Sequence, residues 1–500
     1  MSISVLLSTV AEIVPDRVAT VDASGPLTYA DVQRDARSLA ARATSEGVDC
    51  IAYIGTNSAV VPLLLFAAAE AGVPFAPLNY RLADDQLRRQ TQRLGRALIV
   101  TDEPGAARIG VPEGCSMMDA SEARFPAPVD AGAAEPGDTA VWLFTSGTTG
   151  EPKIVELSHE NLTAYILSTV EMLSAPEGDA TLVSVPPYHI AGIAAVLSSV
   201  FATRKLVYLE SFDAEGWIAA AREHAVTSAM VVPTMLQRIL ALLEESGETL
   251  PALRALSYGG GRMPVELIRA TLQQLPHVGF TNAYGLTETS STIALLGPED
   301  HREALASPDP LVQARLGSVG RPIPSIELEV RGTDGEVLPS GEEGDIWVRG
   351  PQISGAYRGM DSHLVDGWFA TKDRGLIDEG GYLFLSGRAD DVIVRGGENI
   401  SPGEIEDVLR EHSAVADVAV VAMPDDQWGE VPVAVVVPTG GAQVDVGELQ
   451  MLVRSRLRSS RVPAEIVTWA ELPHNEMGKL LRKDIRTILA QRSAENDVVR

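Results

Sequence analysis

The chain has 500 residues, 45% of them hydrophobic and 22% charged; 40 basic against 68 acidic side chains leave a net charge of −28 and a pI near 4.7. That length predicts more than one core, and the acidic balance argues against nucleic acid or anionic membrane as main partners, since either needs a basic face. Two cysteines, Cys50 and Cys115, are too few for a disulfide framework, so a reducing, cytoplasmic setting is expected.

Met1 to Glu12 lacks a basic leader region and reads as an amphipathic helix. Residues 28–42 have helical periodicity with Thr28 as cap; then follow strand 51–54, helix 60–71, strand 75–78, helix 84–94 and strand 97–100. Such alternation predicts mostly parallel sheets with helices on both faces. The pattern recurs at 181–185, 205–208, 229–232 and 255–258. After Gly317 the texture changes, and 326–330 and 344–349 read as strands of a small antiparallel sheet. Strand 392–395 leads to Ser401-Pro-Gly-Glu404, a capping box with proline at the first helical position, and a helix to about residue 411. Strands 415–422 and 431–437, helix 446–457 and strand 464–468 complete the chain. The fold class is therefore α/β: a large N-terminal domain, 1–388, of parallel sheets flanked by helices plus a small antiparallel sheet, then a small α+β C-terminal domain, 389–500. No run is long and apolar enough to span a bilayer.

The most telling chemistry follows the apolar run 140–144, which reads as a strand entering Thr145-Ser-Gly-Thr-Thr-Gly-Glu-Pro-Lys153. Four hydroxyls, two glycines and one lysine crowd into nine positions. This composition describes a polyphosphate cradle: glycine lets the backbone come close, successive N–H groups form an anion nest, and hydroxyls and ammonium add donors. It is not a Walker loop, because Pro152 precedes the lysine and no Ser or Thr follows it.

Four further segments would have to act with this one. Asn282-Ala-Tyr-Gly-Leu-Thr-Glu-Thr289 sets an aromatic ring, a hydroxyl and a carboxylate close together, and Gly367 to Gly375 holds a lone acid, Asp373, in a turn. Residues 387–406 span the domain junction, and Pro473-His-Asn-Glu-Met-Gly-Lys479 ends on a lysine in a glycine-bearing loop. Singly, each fits a structural role. In this order, and with Gly72-Val-Pro-Phe-Ala-Pro-Leu-Asn-Tyr80, the chain resembles the acyl-adenylate-forming superfamily over its whole length, in the acyl-CoA synthetase branch.

The resemblance implies an ATP-dependent acid–CoA ligase that forms acyl-AMP and pyrophosphate, then a thioester and AMP, with ATP, Mg2+ and CoA. It implies that Thr145, Ser146, Gly147, Thr148, Thr149, Gly150 and Lys153 hold the ATP phosphates. Gly259, Gly260, Asn282, Ala283, Tyr284 and Gly285 would surround the nucleotide, with Tyr284 stacked on adenine. Thr287 would meet the α-phosphate, Glu288 the Mg2+ ion, and Asp373, assisted by Arg388, the ribose hydroxyls. Thr371-Lys-Asp373 departs from the family's Thr-Gly-Asp. Lys479 would offset the charge that builds up where carboxylate meets phosphate. Asp390 would be the hinge of a mobile C-terminal domain, and Arg395, Gly396, Gly397 and Glu398 would line a tunnel for CoA.

For the acyl pocket the resemblance points to His189, Ile190, Gly192, Ile193, Gly261 and Arg262, the last two standing where the family has alanine and proline. Small residues at 192–195 suggest an apolar, roomy pocket, and a medium- or long-chain fatty or alicyclic acid is expected. A dicarboxylate, its second carboxylate paired with Arg262, and an aryl acid are the alternatives. The chain beyond Lys479 is too short for a fused carrier domain, so free CoA is the expected acceptor. A separate carrier protein and a homodimer stay open, and a nucleotide-binding sensor without turnover is the rival of a different class.

Overall fold

The computed structural model describes residues 1–124, 137–145, 152–388, 391–396, 398–425, 427–440, 442–475 and 480–498. Its contacts divide the chain into two units, Met1–Glu327 with Val348–Phe369, and Leu328–Trp347 with Ala370–Arg500.

The first unit carries two sheets, as strand–helix alternation predicts. In one, Val18–Asp22, Lys205–Tyr208, Ala180–Val183, Ser228–Val231, Ala255–Gly259 and Gly279–Leu286 run parallel in that spatial order. Antiparallel strands close its edges, Gly25–Thr28 at one end, Ser291–Leu296 and Arg321–Pro322 at the other. The other sheet is ordered Ser116–Asp119, Ala97–Thr101, Cys50–Ile54, Phe75–Pro77, Thr139–Thr145, all parallel, with Lys153–Ser158 antiparallel at the end. Helices Val60–Glu70 and Ile190–Ala202 are buried on nearly every face. They share one core with Ile51 and Val141 from the second sheet and Val183 and Leu206 from the first. This explains their lack of a polar stripe, and each fully buried Leu or Phe contributes roughly 2–3 kcal/mol.

Two expected starts are seen. Thr28 caps helix Tyr29–Glu46 in a reciprocal box with Asp31. The N-terminal helix, Ser4–Ile13, buries Leu6, Leu7, Val10 and Ala11. Just before it, the Ile3 N–H donates to Nδ1 of His159 at 3.2 Å in a buried contact. Burial pushes the His159 imidazole down to about 4, so the ring docks the helix in its neutral form.

The second unit is built on a sheet ordered Glu398–Ile400, Ile393–Arg395, Gly429–Pro438, Val415–Asp425, antiparallel, with Glu465–Thr468 parallel beside Gly429–Pro438. Alternate side chains face opposite ways along a strand. Val418 and Val420 meet helices Pro402–Arg410 and Val446–Arg456, whereas Ala419 and Val421 meet Ile485 and Leu489 of helix Arg482–Val498. Both faces being covered, the strand reads as an unbroken apolar run.

Two local expectations are corrected. Helix Pro402–Arg410 starts where expected, but Ser401 makes no cap: its hydroxyl donates to the Ser386 carbonyl, and Glu404 accepts from Arg461 Nε at 2.8 Å. Tertiary partners outbid the local box. Asp373 lies not in a turn but within strand Trp368–Ile377.

Inside the second unit Glu406 is buried, accepting from the Val420 N–H at 2.7 Å and from Arg482 Nη2 at 3.0 Å. Burial alone would raise its carboxyl, but the Arg482 guanidinium and the hydrogen bonds outweigh it and hold it below the ordinary range.

Arg482→Met should cost about 3 kcal/mol or more, because Glu406 would be left buried and unpaired; urea unfolding followed by tryptophan fluorescence and far-UV circular dichroism measures it. The His159 ring titrates lower in the folded chain than in the unfolded one, so between pH 6.5 and about 4 the unfolded chain takes up the extra proton and stability falls with pH. Urea midpoints at pH 7 and pH 5 should differ less for His159→Gln than for the wild type.

Candidate active site

The two strands that flank the cradle segment pair with each other. Strand Thr139–Thr145 returns as Lys153–Ser158, with Thr145 opposite Lys153 and Phe144 opposite Ile154. Ser146, Gly147, Thr148, Thr149 and Gly150 lie outside the described residues. The stem is braced on its far side: Arg93 Nη1 donates to the Pro152 carbonyl at 2.6 Å, with its guanidinium over the Phe144 ring.

The expected nucleotide residues converge on two neighbouring strands of the large sheet. Gly259 pairs with Ala283, and a Cβ on Gly259 would stand 2.4 Å from the Ala283 carbonyl oxygen, so only glycine fits. Gly260 follows with φ +77°. Asn282 Nδ2 donates to the Ser318 carbonyl at 3.1 Å, and Tyr284 is buried. A Cβ on Gly285 would meet the Ser291 oxygen at 1.7 Å, again demanding glycine.

Thr287–Thr289 then form a single 3-10 turn, after which Ser290 and Ser291 adopt φ +53° and +106°. Left-handed backbone at two successive non-glycine residues is a local cost that surrounding contacts must offset. Those contacts come from 352–357. Gln352 Nε2 donates to the carbonyls of Thr289 and Thr292 at 2.9 Å each, the Ser354 N–H donates to the Glu288 carbonyl at 2.8 Å, and the Tyr357 hydroxyl donates to Glu288 Oε1 at 2.8 Å. Thr287 and Glu288 are half-buried. Among the described residues no three His, Cys, Asp or Glu side chains converge. A single carboxylate is the share a Mg2+ ion takes from a protein when phosphates and water complete its shell, so Glu288 fits that ion.

His189 sits half-buried at the start of helix Ile190–Ala202, its ring 4.8 Å from that of Tyr188, which in turn meets Tyr80 edge-on at 6.0 Å. Burial pushes the imidazole down to about 4, so it is neutral near pH 7. The small residues beside it do not open space as expected. A Cβ on Gly192 would meet the Pro186 carbonyl at 2.9 Å, and Ile193 is fully buried in the main core. The glycine admits the 186–189 turn. Ile190 and Gly261 are half-buried, and Arg262 is exposed.

In the second unit Asp373 and Arg388 face each other across paired strands, Arg388 Nη1 at 3.2 Å from a buried Asp373 carboxylate. The Asp373 N–H donates to Thr371 Oγ1 at 3.1 Å, and that hydroxyl donates to the Ile346 carbonyl at 2.9 Å. Between them Lys372 has φ +62°, the region that favours glycine, at the position where the family carries glycine.

Arg395 and Glu398 pair across the short hairpin. Gly396, at φ +59°, lies so close to Trp428 that a Cβ would meet the indole at 2.9 Å. Glu398 is held below the ordinary carboxylate range, first by Arg461. Asp390, Gly397 and Lys479 lie outside the described residues. The chain flanking Lys479 is pinned nonetheless: His474 bridges Leu480, the Leu481 N–H donates to the Pro473 carbonyl at 2.9 Å, and Arg482 is the buried partner of Glu406.

Sequence reasoning missed Gln352, Tyr357, Trp428 and Arg461. Each reaches its partner from a distant segment, and no local spacing announces that. Lys372→Gly should raise the unfolding free energy by about 1 kcal/mol by relieving left-handed backbone; a lower melting temperature for the variant would contradict this.

Residues 7–358 match the family described as AMP-binding enzyme, and residues 404–479 match the AMP-binding enzyme C-terminal domain. The chain is 31% identical over 519 aligned positions to an indoleacetate–CoA ligase of Aromatoleum aromaticum, covering 99% of each. It is 33% identical to a 2-succinylbenzoate–CoA ligase of Bacillus licheniformis, over 94% of this chain and 97% of that one. Among solved structures, o-succinylbenzoate coenzyme A synthetase of Bacillus subtilis in complex with ATP and magnesium ion aligns with a TM-score of 0.82 and 30% identity, covering 96% of this chain and 98% of that one. No helix among the described residues is long and apolar enough to cross a membrane. Matched along almost all of its length by these families and relatives, the chain belongs to the AMP-binding enzyme family, in the acyl-CoA ligase branch of the acyl-adenylate-forming superfamily.

Proposed function

We propose that the protein is an ATP-dependent carboxylic acid–CoA ligase. The acid's carboxylate oxygen attacks the α-phosphorus of ATP, and the bond to pyrophosphate breaks. The CoA thiol sulfur, its proton lost, then attacks the acyl carbon, and AMP departs as thioester forms. The observation that carries this reading is the tie from the donor-rich hairpin to the Glu288 turn through Tyr357. It joins groups suited to polyphosphate and to a hard cation in one unit.

In this reading Thr145, Lys153 and the loop from Ser146 to Gly150 bind the β- and γ-phosphates. Tyr284 stacks on adenine beside Asn282, Ala283, Gly285, Gly259 and Gly260. Asp373, oriented by Arg388, accepts the ribose hydroxyls, and Thr287 donates to the α-phosphate. Glu288 would hold Mg2+, which supplies positive charge beside the phosphates. Lys479 neutralises the approach of carboxylate to phosphate. The attacking carboxylate is already ionised, so a neutral His189 positions the acid and takes no proton. We assign Asp390 as hinge between functional domains 1–388 and 389–500, and Arg395, Gly396, Gly397 and Glu398 to the CoA path.

For the acid, the aryl and arylalkyl substrates named for the relatives support an aromatic carboxylate over the fatty or alicyclic acid expected from the sequence. The close packing of Gly192 and Ile193 and the Tyr80–Tyr188–His189 aromatic group agree with a flat, short acyl chain. Free CoA is the proposed acceptor, and a carrier-protein thiol is the alternative.

A panel of aryl, arylalkyl, dicarboxylic and fatty acids, assayed for AMP release with and without CoA, tests the reading. Aryl acids should give the highest kcat/KM, and acid-dependent exchange of labelled pyrophosphate into ATP should occur without CoA. No exchange with any acid would favour a sensor. Lys479→Ala should lower that exchange by about a hundred- to a thousandfold, the scale of losing one transition-state charge partner, while thioester formation from supplied acyl-AMP persists; equal loss in both steps would sink the assignment.

A further inference from the structure

Tyr357 belongs to none of the segments singled out by sequence, yet it is the one side chain among the described residues that touches both the hairpin lysine and the metal-turn carboxylate. Its backbone is added to the hairpin stem as a third strand. Val155 bridges Tyr357, the Glu156 N–H donates to the Ala356 carbonyl at 3.0 Å, and the Arg358 N–H donates to the Ile154 carbonyl at 2.9 Å. The ring is buried and fixed on two sides: His363 meets it edge-on at 4.5 Å, and Lys153 Nζ lies 4.8 Å from its centroid. From this fixed ring the hydroxyl reaches Glu288 Oε1 at 2.8 Å.

We propose that Tyr357 is a positioning residue that holds one Glu288 oxygen by a hydrogen bond and turns the other toward the cation. The proposal rests on reading Glu288 as the metal carboxylate. A glutamate on a one-turn helix has three rotatable side-chain bonds, and its headgroup has many orientations to lose when a cation binds. A donor anchored to the phosphate-loop stem removes that freedom beforehand and sets the carboxylate relative to the phosphates that share the ion. The Lys153 ammonium over the ring face favours a tyrosine there. It also draws electron density from the phenol, which makes the hydroxyl a stronger donor. The same strap carries Ser354, whose N–H holds the Glu288 carbonyl and whose hydroxyl donates to the Glu156 carbonyl, so main chain and side chain of Glu288 are fixed from one segment.

Tyr357→Phe tests this, since it keeps the ring, its contact with His363 and the lysine above it, and deletes only the hydroxyl. The measurement is calorimetric binding of a non-hydrolysable ATP analogue to the intact protein across a Mg2+ titration and in chelator, with a thermal melt of the ligand-free protein. The expected result is a roughly tenfold higher Mg2+ concentration for half-maximal enhancement of analogue binding, unchanged binding in chelator and an unchanged melting temperature. The kinetic counterpart is a raised KM for MgATP that excess Mg2+ restores, with kcat retained. A Mg2+ dependence equal to wild type overturns the proposal. So does a variant that melts lower and binds the analogue weakly with and without Mg2+, which would make the hydroxyl merely structural. Glu288→Gln is the control: if it leaves the Mg2+ dependence unmoved, the metal reading of Glu288 falls, and Tyr357 with it; if it shifts and Tyr357→Phe does not, only the tyrosine's role is lost.

Discussion

To bind a triphosphate, as proposed, a chain with a net charge of −28 must gather its positive and hydrogen-donating groups in one spot. Long-range attraction cannot help, because the field of the whole molecule repels the ligand and is screened within about 8–10 Å at physiological salt. In the proposed reading the solution is local and largely uncharged: the glycine- and hydroxyl-rich segment 145–153, whose flanking strands pair with Thr145 opposite Lys153. Backbone N–H groups carry no counter-charge and need no acidic partner, so they can face a phosphate without upsetting the rest of the surface.

The bracing is done from three sides within the first unit. Arg93 holds the end of the return strand by the Pro152 carbonyl, Arg358 lies over Trp142 and donates to the Arg93 carbonyl at 2.6 Å, and the strap 352–358 adds to the strand edge. The strap also absorbs the cost of the left-handed residues after Glu288, since Gln352 satisfies two carbonyls that the sharp turn would otherwise leave bare. Rigid stem and strained turn are thus parts of one construction. Glu288, the proposed metal carboxylate, lies on the 3-10 turn just before the left-handed residues.

The second unit obeys a different logic. Its sheet is apolar on both faces, and its polar groups are paired individually inside it: Glu406 with Arg482, Asp373 with Arg388. Buried ion pairs contribute little net stability, but they are costly to break and tolerate few alternative geometries. Arg482 follows Lys479 by three residues and is anchored on Glu406. Lys372 shows the reverse situation, a side chain retained at a backbone position that favours glycine.

Periodicity and composition were enough to read the alternating elements of the first unit, the cap at Thr28, the helix after Ser401 and the strand leading into Thr145. These are governed by interactions between residues close in the chain. Glycines 259 and 285 were legible as part of a motif, while the reason for them, a carbonyl oxygen of a neighbouring strand within reach of any Cβ, belongs to the sheet. The Ser401 box failed because a serine hydroxyl and a glutamate have no memory of sequence spacing once a carbonyl and an arginine from elsewhere lie nearer. Asp373 was read as a turn residue because a glycine-flanked polar run looks the same whether or not a strand partner exists to receive it. By itself the sequence determined which chemical groups the protein owns and in what order. Only the tertiary structure decided which of them meet, as Tyr357, Glu288 and Lys153 do across some two hundred positions of chain, because contact across that distance depends on how sheets stack and not on any local preference.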